Sequence, residues 1–426
     1  VTTEAAHKAI EAVFRIESAK IIAGVARMVR DVGLAEELAQ DALVAALETW
    51  PRSGIPDNPA AWLMTTAKHR ALDRLRQRKL VARKEDELTR EIEELLEDAQ
   101  PRVDANLRDD IGDDLLRLVF TACHPVLSTE ARVALTLRLL GGLTTDEIAR
   151  AFLVPEPTIA QRIVRAKRTL TEARVPFEVP GADERGQRLA AVLEVIYLIF
   201  NEGYSATSGE HWTRPALCED ALRLGRVLAE LARDDAEVHG LVALMEIQAS
   251  RLQARVGPAG EPILLLDQNR ARWDQLLVGR GLAALARAES LGGALGPYAL
   301  QASIAACHAR ARDPAQTDWP RIAALYDALA QIVPSPVVEL NRAVAVSMAF
   351  GPEAGLAIVD AIAGERALAG YHLLPSVRGD LLARLGRNAE AAQEFRRAAG
   401  MTRNESERTL LAKRAASCAE GSGNDA

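Results

Sequence analysis

Apolar residues along this chain return at intervals of three and four, and no sustained run alternates between apolar and polar positions. That period belongs to helices with one buried face. Between Gly33 and Trp50, Leu34, Leu38, Leu43 and Leu47 form an apolar side, and Glu36, Glu37, Gln40 and Asp41 an acidic, amide-bearing one. Between Asn58 and Leu80, Pro59 stands where a helix should start, and Ala61, Met64, Leu72 and Leu75 can face a core. From Thr144 to Leu170 the spacing predicts two short helices around a tight turn. Ile148, Ala149 and Phe152 point inward on the first, Leu153 and Val154 make the turn, and Ile159 and Ile163 bury the second. Pro157 fits the first turn of that second helix, where its missing N–H forgoes no intrahelical bond. The expected fold is all-α.

Past "VPFEVPGADERG" (residues 175–186), a segment rich in Pro, Gly and charge that reads as a domain boundary, helical segments follow one another to the end. Gly379, Leu382, Gly386, Ala391, Phe395 and Ala398 lie at the spacings of a tetratricopeptide (TPR) repeat, in which small residues let paired helices approach. Tyr326 and Pro334 echo another repeat more weakly, so the region is expected to be a TPR-like helical array with irregular repeats.

Composition agrees with the helical reading. Aromatics are 4% of the 426 residues, hydrophobic residues 49% and charged residues 26%. No stretch of 18 or more apolar residues occurs, so no membrane span is expected. Cys123, Cys218, Cys307 and Cys418 stand singly, which suits a reducing cytoplasm. The net charge of −7 would be odd for a protein that binds nucleic acid alone, but its distribution is uneven. Eight cations lie between Lys68 and Lys84 against one acid, Asp73, and 13 acids follow between Glu85 and Asp114 against three arginines. Nine cations against five acids then return between Leu115 and Val175. Two basic units joined by an anionic connector suggest two DNA-facing surfaces.

The candidate chemistry is recognition. Gln161, Arg165 and Arg168 share an outward stripe flanked by Arg162 and Lys167, and such a helix can enter a major groove. A solvated basic helix in an ordinary bundle is the alternative. Arg70, Arg74 and Arg78 repeat every four residues as a cationic ridge suited to phosphates. Trp62 and His69 could stack on unpaired bases, though Trp62 alone reads better as a core anchor. Downstream, Glu202, Tyr204, Asp267, Asn269, Arg270, Trp273 and Asp274 either line a groove for a peptide or small ligand or act as buried polar staples between helices, the second being favoured. Cys123–His124 and Cys307–His308 are adjacent pairs that cannot easily chelate one ion, so no metal is expected. No nucleophile–base pair or phosphate-cradling glycine loop is evident, so neither catalytic residues nor a cofactor is expected.

In order, "AEELAQDAL…TW", "AWLMTTAKHRALDRLRQ", the acidic connector and "LTLRLLGGLTTDEIARAFLVPEPTIAQRIVRAKRTL" resemble bacterial RNA polymerase sigma factors of the extracytoplasmic-function (ECF) type, which keep only regions 2 and 4. The resemblance covers about residues 8–175. It implies region 2 over 1–84, an acidic linker over 85–114, region 4 over 115–176 and a TPR-like regulatory domain over 185–418. It also implies that Glu36, Glu37, Leu38, Gln40 and Asp41 dock on the β′ coiled coil of core polymerase and that the β flap is a second contact. Lys68, Arg70 and Arg74 match the −10 element helix, and Thr158, Gln161, Arg162 and Arg165 the −35 recognition helix. The linker would run through the polymerase's cationic channel and could shield both basic surfaces in the free protein, or be merely a solvated linker. The chain departs from the pattern at Asp41, where Glu is common, at Pro157 in place of Gly or Ser, and at Ala160, often Lys.

The extension, through "YLIFNEGYSATSG", "LLLDQNRARWD", "GPYALQASIAACHA" and "PSPVVELNRAVA", looks like that of one ECF subgroup described as having a TPR-containing domain. Taken together, the two resemblances imply an alternative sigma factor in the cytoplasm, not an enzyme. Its partners would be core RNA polymerase, promoter DNA and a soluble ligand or protein at the extension, with no membrane. The rival reading is a helix-turn-helix regulator that never joins core and uses the array as an effector.

Overall fold

The structure, a computed structural model, describes residues 3–81, 106–152, 154–258 and 260–421. Residues 82–105, most of the acidic connector, lie outside them, as do Leu153 of the predicted turn and the side chain of Arg78. The chain divides into two compact units, Val1–Leu198 and Ile199–Ala426. That division falls inside a helix rather than in the expected boundary segment, residues 175–186.

In the first unit α1 (Thr3–Val29), α2 (Val32–Ser53) and α3 (Pro59–Val81) pack on one another, and α4 (Asn106–Ala122) lies against α1. Next, α5 (Thr129–Leu139) and α6 (Thr145–Phe152) both pack on α7 (Glu156–Glu172), and α8 (Ala182–Tyr204) follows. Local chemistry sets the helix starts. Asp31 accepts the N–H of Leu34 at the head of α2, and Asn58 accepts that of Ala61 at the head of α3. Thr144 and Glu147 form a reciprocal capping box at α6: each side chain accepts the other's backbone N–H, at 3.1 and 2.8 Å. α7 begins at Glu156 with Pro157 in its first turn. Trp50, Leu63, Leu118, Leu135, Leu137, Ile148 and Ile159 are among the fully buried side chains.

The second unit continues through α9 (Pro215–Leu231), α10 (Ala236–Ala249), α11 (Gln275–Ser290), α12 (Pro297–Arg310), α13 (Trp319–Ile332), α14 (Pro336–Phe350), α15 (Pro352–Ile362), α16 (Leu373–Arg384), α17 (Asn388–Met401) and α18 (Glu405–Gly421). From α12 onward each helix packs on the next. The repeat-like residues meet in one core, where Leu382, Ala391, Phe395 and Ala398 are buried with Leu411. Gly379 lets the Phe395 ring approach, since a Cβ there would lie 3.0 Å from it. Among the described residues the strands are two short parallel partners, β1 (Ser208–Gly209) and β2 (Arg403–Asn404). Asn404, 2% exposed, reinforces this closure by donating to the carbonyls of Ala206 and His211.

Candidate nucleic-acid interface

α7 buries Ile159, Ile163, Ala166 and Leu170, a 4-3-4 stripe that fixes the rest of its surface. Thr158, Gln161, Arg165 and Arg168 are therefore exposed, and Arg162 is half-buried. Arg168 reaches its own helix at Glu172, 3.2 Å away. An exposed face with two long cations and an amide can donate to base edges and phosphates.

Lys167 departs from that stripe. It turns inward and ion-pairs with Glu36 of α2. Arg138 of α5 holds the same carboxylate, Nε to Oε1 at 2.6 Å, and fixes its own guanidinium on the Leu143 carbonyl at 3.1 Å. Gln40 donates to Glu36 Oε1 at 2.8 Å. Glu36 is thus 4% exposed, although it belongs to the face of α2 that the sequence assigns to solvent. A carboxylate is buried here because two cations and an amide replace its water. Helical spacing does not single out Arg138. Its signal is an arginine inside the apolar run Leu137–Arg138–Leu139, which must find a partner when the helix packs.

Other contacts join the same two helical groups. Arg15 pairs with Glu147 at 3.2 Å, and Arg27 with the buried Asp114 at 3.7 Å. Gly142 adopts φ +69° where a Cβ would come within 3.1 Å of the Arg15 carbonyl. Gly33 lies under Lys167, with its Cβ position 3.5 Å from the lysine Cδ. Beside this seam is a cleft of about 720 Å³ whose lining includes Arg27, Arg30, Arg117 and Arg174.

The remaining expected contact residues divide by exposure. On α2, Leu38 is buried, while Glu37 and Asp41 are exposed. On α3, His69 and Arg74 are exposed and Lys68 is half-buried. Arg70 lies 3.4 Å from Asp41, so this ridge cation faces an acid of α2. Trp62 is half-buried with its ring edge-on to Trp50, centroids 5.3 Å apart, an anchoring contact that leaves part of the indole accessible.

The second unit's candidates are mostly engaged in packing. Glu202 ion-pairs with Arg214 and accepts from the Thr207 hydroxyl at 2.9 Å. Asn269 caps a short 3-10 turn, and Asp274 caps α11 through the N–H groups of Leu276 and Leu277. Arg270 donates to the carbonyls of His308 and Ala311 and to the Thr317 hydroxyl. Trp273 is buried, Tyr204 half-buried and Asp267 exposed. Burial pushes the thiol of Cys123 up to about 11 and that of Cys218 up to about 12. Among the described residues no cluster of His, Cys, Asp and Glu could hold a metal ion, and no helix is long and apolar enough to cross a membrane.

Comparison with known proteins adds three family matches. Residues 15–81 match Sigma-70 region 2, residues 117–170 match Sigma-70, region 4, and residues 188–289 match a family of unknown function (DUF6596). Over 390 residues, 90% of each chain, this one is 45% identical to a Rhizobium meliloti protein described as uncharacterized protein R00370. Over 150 residues it is 31% identical to the ECF RNA polymerase sigma factor SigK of Mycobacterium ulcerans, covering 34% of this chain and 75% of that one. The ECF RNA polymerase sigma factor SigC of Mycobacterium tuberculosis is 28% identical over 153 residues, 35% of this chain and 76% of its own. No solved structure matches.

Proposed function

We propose how this chain, which belongs to the ECF RNA polymerase sigma factors and so directs promoter-specific transcription initiation, holds itself when it is off its polymerase. Core RNA polymerase and promoter DNA are its partners. Glu37 and Asp41 of α2 approach the β′ coiled coil, His69, Lys68 and Arg74 of α3 meet the −10 element, and Thr158, Gln161, Arg162 and Arg165 of α7 read the −35 element while region 4 rests on the β flap. In the free protein the helices that carry these surfaces are clasped to each other beside them, through Glu36, Arg138 and Lys167.

One observation carries this reading. The carboxylate of Glu36, in the helix assigned to polymerase, is buried between Arg138 and Lys167, and Lys167 lies in the helix assigned to the −35 element. Binding core through the whole of α2 therefore requires the clasp to open. Opening exposes Glu36 to polymerase and returns Lys167 to the cationic stripe. The two sigma matches end at residue 170, so the second unit adds a role they do not describe, and we assign it regulation of this activity.

Run-off transcription with purified core and the full chain tests the reading. Promoter-specific transcript from the wild type, lost in a Glu37→Ala/Asp41→Ala double variant and separately in Arg74→Ala, supports these assignments. A full chain that binds a promoter duplex without core, and never yields transcript with it, would be a regulator that does not join polymerase.

A further inference from the structure

The second unit holds a charge arrangement that neither promoter recognition nor the clasp uses. Arg251, just past the end of α10, is 7% exposed. Its guanidinium lies 5.6 Å from the ring centres of both Tyr204 and Trp273, and among the described residues it forms no hydrogen bond or ion pair. Arg255, half-buried, stacks 3.8 Å from the Tyr204 ring centre, stands 5.5 Å from that of Trp212 and donates to the Tyr204 carbonyl at 3.1 Å. Arg270, 8% exposed, lies 5.3 Å from the Trp273 ring centre and is tied to main-chain carbonyls.

Three guanidinium ions thus share one aromatic cluster, and among the described residues none of them forms an ion pair with a carboxylate, although Asp313 acts on Arg270 from beyond ion-pair distance. Buried donors accumulate there. Among the described residues the Nε–H groups of Arg251, Arg255 and Arg270 and the indole N–H groups of Trp212 and Trp273 find no acceptor. The neighbourhood is electropositive enough that burial, then Arg251 and Arg270, push the His308 imidazole down to about 3. Arginine cannot escape such a place by losing its proton. Ring contacts offset only part of the desolvation cost of an ion, and a buried charge without a partner is unfavourable. An acceptor-rich anion has the chemistry that satisfies both the charge and these donors.

We propose that Tyr204, Arg251, Arg255 and Trp273 form a binding site for an oxyanion, a phosphate or carboxylate group carried by a small soluble molecule, whose oxygens complete the charge of Arg251. Half-buried Arg255 and Tyr204 form its accessible side, and Arg270, fixed by its carbonyl bonds, is a wall. This gives the second unit a chemical input independent of the clasp.

The test uses the full chain. Tryptophan fluorescence and the thermal melt are followed while inorganic phosphate, and separately acetate, is titrated against chloride at matched ionic strength. Saturable change with either anion is expected, together with a rise in melting temperature. Phosphate saturation identifies a phosphoryl ligand, and saturation by acetate alone a carboxylate. Arg251→Met should weaken the response at least tenfold and, without anion, melt higher than wild type, because it removes an uncompensated charge while keeping the volume. Arg255→Gln, at the accessible side, supplies a second reading should Arg251→Met fail to fold. A response to neither anion overturns the proposal, as does one that is non-saturable or equal in Arg251→Met. An anion-indifferent wild type whose Arg251→Met variant melts lower would make Arg251 a purely structural cation.

Discussion

Removing Arg138 should make this sigma factor bind core polymerase more tightly. Glu36 itself is the wrong residue to change, because under the proposed function it serves the clasp in one state and polymerase in the other. Arg138→Met keeps the bulk of the side chain and deletes the 2.6 Å charge-assisted bond to a carboxylate that is 4% exposed. Hydrogen bonds to charged groups contribute roughly 1.5–3 kcal/mol, and breaking a fully buried ion pair costs about 3–5 kcal/mol. The Arg138 side chain is 22% exposed and Lys167 still holds Glu36, so the lower range applies. About 2 kcal/mol, at ~1.4 kcal/mol per factor of ten, moves the clasp equilibrium about 30-fold towards open. Where the closed form dominates, the apparent Kd for core falls by up to that factor, because affinity is scaled by the competent fraction. The assay is anisotropy of labelled full-length protein titrated with core, beside a thermal melt to establish that the variant is folded. A folded Arg138→Met that binds core no better than wild type would refute the reasoning.

Particular contacts set three further outcomes. Arg165→Ala, which removes an exposed cation of the α7 stripe, should cost holoenzyme about 1–3 kcal/mol of affinity for a duplex bearing its −35 element and leave core binding unchanged. Gly379→Leu forces a side chain against the Phe395 ring, already 3.0–3.2 Å from an ideal Cβ, and should lower stability by about 1–3 kcal/mol in calorimetry, with Gly379→Ala intermediate. His308 is held neutral by burial and by Arg251 and Arg270, its pKa falling from 6.5 to about 3. Its contribution to stability is therefore complete above pH ~6.5 and is lost as pH falls towards ~3, with a slope of at most ~1.4 kcal/mol per pH unit. Melts recorded down this range should show a flatter acid limb for His308→Gln.

Periodicity made the faces legible because burial of one stripe fixes the opposite one. Ile159 and Ile163 sit in the core at four-residue spacing, which leaves Gln161 and Arg165 outside, and Leu34 and Leu38 anchor α2 in the same way. The capping box at Thr144 and Glu147 and the caps at Asp31 and Asn58 are local signals of the same kind. What no local pattern encodes is which charged face finds another. Glu36 meets Arg138 across 102 residues of chain, and that long-range pairing takes both Glu36 and Lys167 off the faces that spacing gives them. In the second unit, Asn269 and Asp274 sit just ahead of helical turns, a position that marks caps. The engagement of Arg270 with residues near 308–317 depends on helix packing that irregular repeats do not reveal.

The geometry of the clasp also dictates a coupling. One carboxylate joins α2, which we propose faces polymerase, to α7, which we propose faces DNA, so a single opening event frees Glu36 and Lys167 together. Binding energies linked through one equilibrium are reciprocal. If core binding favours the open form, and the open form reads the −35 element better, then −35 DNA must strengthen core binding by the same factor. That factor is bounded by the clasp equilibrium, and Arg138→Met should reduce it as it raises core affinity, because a clasp already open leaves DNA nothing to release. Measuring core affinity with and without a −35 duplex in both proteins separates this coupling from a merely additive pair of interfaces, for which the ratio would be unchanged.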